Sequence, residues 1–125
     1  MLRWAAAETL ILQDAAETVL DDIRARHSLG HIAPRAGPLV RRFFVLRDQL
    51  PTELPTDDLA RLRTELAAIL FHHAMAVSVA MDFLATEWRS PALSRQVDAI
   101  DGLGAPARRM EEIYALLLVR PAVPV

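Results

Sequence analysis

The chain has 125 residues, 53% of them hydrophobic, no cysteine and a formal net charge of −2. That is one domain's worth of sequence, long enough to bury a core without disulfide or metal staples. The missing cysteines exclude disulfides, thiolate metal sites and thiol catalysis, and the charge balance leaves no overall electrostatic footprint for nucleic acid. All 14 basic residues are arginine, and asparagine is absent as well, a codon bias expected of a high-GC bacterial genome. Alanine and leucine dominate while aromatics are 6% and glycines four, which favours helix over a β-sandwich.

A first helix is expected over about residues 2–27. Its apolar stripe is Thr9, Leu12, Ala16, Val19 and Ile23 at steps of three and four, with Arg24 and Arg26 in the last turn and Gly30 as the stop. Residues 31–37, HIAPRAG, read as a loop broken by Pro34 and Gly37. A second helix is then expected from Pro38 to about Leu50, burying Leu39, Phe43, Leu46 and Leu50. Pro51 and Pro55 bracket a connector, and Thr56 has the chemistry of an N-cap, followed by Asp57 and Asp58 at the positive end of the next helix.

That third helix carries the strongest signal. Residues 66–85, LAAILFHHAMAVSVAMDFLA, are interrupted only by His72, His73, Ser78 and Asp82. A helix apolar on nearly every side is either central to a bundle or part of an interface. Its length would suffice for a membrane span, but two histidines and an aspartate at bilayer depth argue for a buried helix instead. The Ser90-Pro91 step is expected to end it. A short helix over residues 91–100 and a last one from Pro106 to about Val119, burying Met110, Ile113, Leu116 and Leu117, complete the chain. Residues 1–120 thus form a single all-α bundle of three main helices and one or two short C-terminal ones. Residues 121–125 are expected to fray.

Four constellations could carry chemistry. His72 and His73 are adjacent, so on a helix they point about 100° apart and cannot chelate one metal. His73 continues the line Leu62, Leu66, Ile69 and Val77 and is expected in the core, with its pKa lowered by desolvation. His72 is expected to face a groove or partner. Asp82, within the apolar run, needs a partner if buried, with Ser78 and Arg89 the local candidates. His72, His73 and Asp82 are therefore the candidate ligand-binding residues. The six arginines from Arg35 to Arg63 are diluted by Glu53, Asp57 and Asp58, and show neither helix-turn-helix spacing nor interleaved aromatics.

The fourth is RHSLGH, Arg26 to His31. It resembles the Arg-polar-x3-His signature of HEPN-type helical ribonucleases over six residues. The resemblance implies a dimer that cleaves RNA without metal, Arg26 steadying phosphate and His31 moving the proton. Gly30 and Pro34 place the motif at a helix end, whereas the family carries it within a helix. His27 and His31 are the only histidines four apart, with no carboxylate near as a third metal ligand.

No catalytic set is complete, and the sequence is read as a cytoplasmic, non-enzymatic interaction module that self-associates or binds another protein. No cofactor, metal, nucleic acid or membrane is expected. Ile69, Val77, Met81 and Leu84 are the expected contact residues. The alternatives are the ribonuclease and a small-ligand regulatory domain lined by His72 or His73.

Overall fold

The computed structural model describes residues 2–25, 29–85 and 102–119, with the side chains of residues 29 and 83–85 outside the description. Four helices make up the described chain: α1 (Leu2–Arg24), α2 (Leu29–Asp48), α3 (Asp57–Ala85) and α4 (Ala105–Val119), with no strand among the described residues. The fold is an all-α bundle. The expected short helix over 91–100, the Ser90-Pro91 boundary and the tail from 121 lie outside the described residues.

Polar ties fix the topology. Arg35 pairs with Asp22 and Arg42 with Glu8, so α2 runs back along α1. Arg3 Nε donates to the Leu117 carbonyl at 2.8 Å and Leu103 N–H donates to Glu17 at 2.9 Å, so α4 also runs antiparallel to α1. Glu65 and Arg109 join α3 to α4. The helices form an up-down-up-down ring, with α1 and α3 also touching across the middle and α2 and α4 apart.

Helix α3 sits where the others converge and packs on all three. Thr56 caps it: Leu59 N–H donates to the Thr56 hydroxyl at 3.3 Å, and Ala60 N–H to the Thr56 carbonyl at 3.1 Å. Its core side carries Leu59, Leu62, Leu66, Ile69, Leu70, His73, Ala74, Val77 and Ala80, all buried. Against them lie Thr9, Gln13, Ala16, Leu20 and Ile23 of α1, Phe43 and Leu46 of α2, and Met110, Ile113 and Leu117 of α4. Leu116, expected in this set, is exposed.

Helix α2 departs from expectation. It begins at Leu29, so residues 31–37 are helical and Pro34 and Pro38 lie inside the helix. Ile32 and Ala36 extend the stripe of Leu39, Phe43 and Leu46 by two turns, and both are fully buried. Pro34, Gly37 and Pro38 are all exposed. The backbone carbonyls these prolines leave without a helical donor therefore lie on the solvent side, where water serves them, and core burial outweighs poor propensity.

The turn into α4 depends on two glycines with positive φ, Gly102 at 81° and Gly104 at 71°. At Gly102 a Cβ would also collide with the Glu17 carboxylate, whose other oxygen accepts from Leu103 N–H. Gly104 then supplies the carbonyl that accepts from Ala107 N–H at 3.1 Å and opens the helix. Glu17 thereby places a negative charge at the positive end of α4.

Candidate functional site: the interior relay and the outer face of the long helix

Three side chains with polar groups are buried in the described core: Thr9, Gln13 and His73. Thr9 returns its hydroxyl to the Ala5 carbonyl one turn back at 2.7 Å. Gln13 and His73 form a relay across three helices. The Gln13 amide nitrogen reaches the Ala107 carbonyl of α4 at 3.5 Å, which turns its oxygen toward α3. That oxygen accepts from His73 Nε2 at 2.8 Å. A carboxamide oxygen can only accept, so His73 carries its proton on Nε2. Nδ1 is then an acceptor, buried and without a partner. Phe43 meets the imidazole edge-on, ring centroids 5.5 Å apart. Burial first, and the neighbouring His72 second, lower the His73 pKa to about 4. The ring is neutral at physiological pH. It matches the expected core histidine, and its protonation site is committed to structure.

His72 points elsewhere. It is exposed and lines an open groove of about 440 Å³ between α3 and α4, with Glu65, Ala68, Ala105, Pro106 and Arg109. Arg109 grips Glu65 with two parallel hydrogen bonds, of 3.2 and 2.7 Å, and Glu112 with a third of 3.0 Å. These bonds, Glu65 first, raise the guanidinium pKa above its ordinary value. Each of the three guanidinium nitrogens thus donates to a carboxylate, so Arg109 is committed to ion pairs within the chain. A larger shallow basin beyond it, about 960 Å³, is lined by Asp57, Asp58, Arg61, Leu116 and Val119. Both hollows are open, unlike the enclosed cavities that hold small ligands.

The outer side of α3 divides along its length. At about 100° per residue, Asp57, Arg61, Thr64, Ala68, Phe71, His72, Met75, Val79 and Asp82 share one exposed arc. The first half is polar. The second is apolar over three successive turns, with Phe71 47% exposed, Met75 40% and Val79 42%. From α2, Phe44 meets Phe71 edge-to-face at 6.2 Å, and the Arg47 guanidinium lies over both rings, 5.1 and 5.5 Å from their centroids. The result is an apolar strip with a cation stacked at one end and the Asp82 carboxylate at the other.

The expected site residues are scattered. Arg26 lies outside the described residues, and His31 is exposed in the first turn of α2, in a helix rather than the expected loop. Asp82 is exposed. Among the expected contact residues, Ile69 and Val77 belong to the chain's own core, Met81 is half-buried, and the Leu84 side chain lies outside the description. Phe71, Met75 and Val79 occupy the outer side instead. Their spacing of four was present in the sequence, but in a run apolar all round it did not stand out. Gln13, Glu17 and Glu65 carried no local signal, because their roles depend on partners 44 to 86 residues away.

Among the described residues no three histidines or carboxylates gather as metal ligands. Residues Asp57–Asp82 of α3 are long and apolar enough to cross a membrane by length and composition, as core helices of soluble bundles also are. No family model matches the chain, and no curated protein or solved structure matches it either.

Proposed function

We propose that this chain is a non-enzymatic helical interaction module that associates with itself through the outer face of α3. The observation that carries this reading is the exposed strip of Phe71, Met75 and Val79, continuous with Phe44 and Arg47 of α2. Exposed apolar residues occur on the other helices too, among them Trp4, Ile11, Leu118 and Val119, and single ones are ordinary on any surface. Three consecutive turns of them on one helix, flanked by a stacked arginine, have the composition of an interface centre, where aromatics, methionine and arginine are enriched. The interior is compatible with the same reading: among the described residues the one buried titratable side chain, His73, is bonded to Gln13 and enclosed.

The test is light scattering at tens of micromolar on the wild type and on Phe71→Glu. The wild type is expected as a dimer or larger. Phe71→Glu is expected as a monomer with unchanged helical circular dichroism, because the replaced ring is half exposed and its loss spares the core. A monomeric wild type contradicts the proposal.

A further inference from the structure

We draw no further inference here: the strongest candidate, the exposed apolar strip of Phe71, Met75 and Val79 on the outer face of α3, belongs to the surface already described, and nothing in the structure shows what covers it.

Discussion

His73 shows how one enclosed side chain can set the acid tolerance of a bundle. Its pKa falls from 6.5 to about 4 because the folded core desolvates the imidazolium. The unfolded chain therefore binds a proton that the folded chain resists. The resulting stability is complete above pH 6.5 and declines as the pH falls toward 4, by on the order of 3 kcal/mol in all. Denaturant melts at pH 7.5 and pH 4.5 should differ accordingly. His73→Leu should remove that part of the difference. At pH 7.5 it should cost about 1–2 kcal/mol, because the Gln13 oxygen loses its donor in a buried site. Adding Gln13→Met removes that orphaned acceptor and should recover most of the loss. Equal pH dependence in wild type and His73→Leu would mean that the ring is solvated.

Gly102 is the second residue on which local structure turns. Any side chain there meets both a positive φ and the Glu17 carboxylate. Gly102→Ala should destabilise by about 1–3 kcal/mol in denaturant melts. Adding Glu17→Ala removes the collision but also the Leu103 N–H acceptor, so recovery should be partial at best. An unchanged melting midpoint in Gly102→Ala would contradict this account of the turn. Glu17, 86 residues from its Leu103 partner, could not be read from the sequence.

At the scale of helices, α2 and α3 teach opposite lessons about pattern. In α2 the breakers Pro34, Gly37 and Pro38 pointed to a loop, and burial of Ile32 and Ala36 overrode them. The stripe of steps three and four did continue through this segment, so the information was present but masked by strong punctuation. A direct consequence is that Pro34→Ala should stabilise the chain, by about 1 kcal/mol or more, since it restores a helical donor to the Gly30 carbonyl. Were residues 31–37 a loop, the same change would be neutral or destabilising, and a thermal melt distinguishes the two. In α3 the inward stripe, the Thr56 cap and the inward turn of His73 were all legible from periodicity. The outward side was not, because an all-round apolar run gives no contrast from which to choose the second face. Val77 falls on the inner side and is fully buried, so Val77→Arg should unfold the chain rather than merely dissociate it.

At the scale of the whole molecule, the ring of four helices fills its centre and leaves apolar side chains exposed on each helix, three of them in successive turns of α3. All-α architecture, helix order and core composition followed from composition and period. The last helix was read with one wrong inward residue, Leu116. The contact surface depends on what remains after α1, α2 and α4 have covered α3, which only the assembled bundle reveals. Met75 at the centre of the strip and Met110 in the core provide internal probe and control.

The measurement that goes most directly to the central claim is a methionine-methyl NMR dilution series from about 1 mM to about 10 µM. Association through the outer face of α3 predicts that the Met75 methyl signal shifts or broadens with concentration while that of Met110 stays fixed. A Met75 signal that is invariant over the whole series would contradict the account.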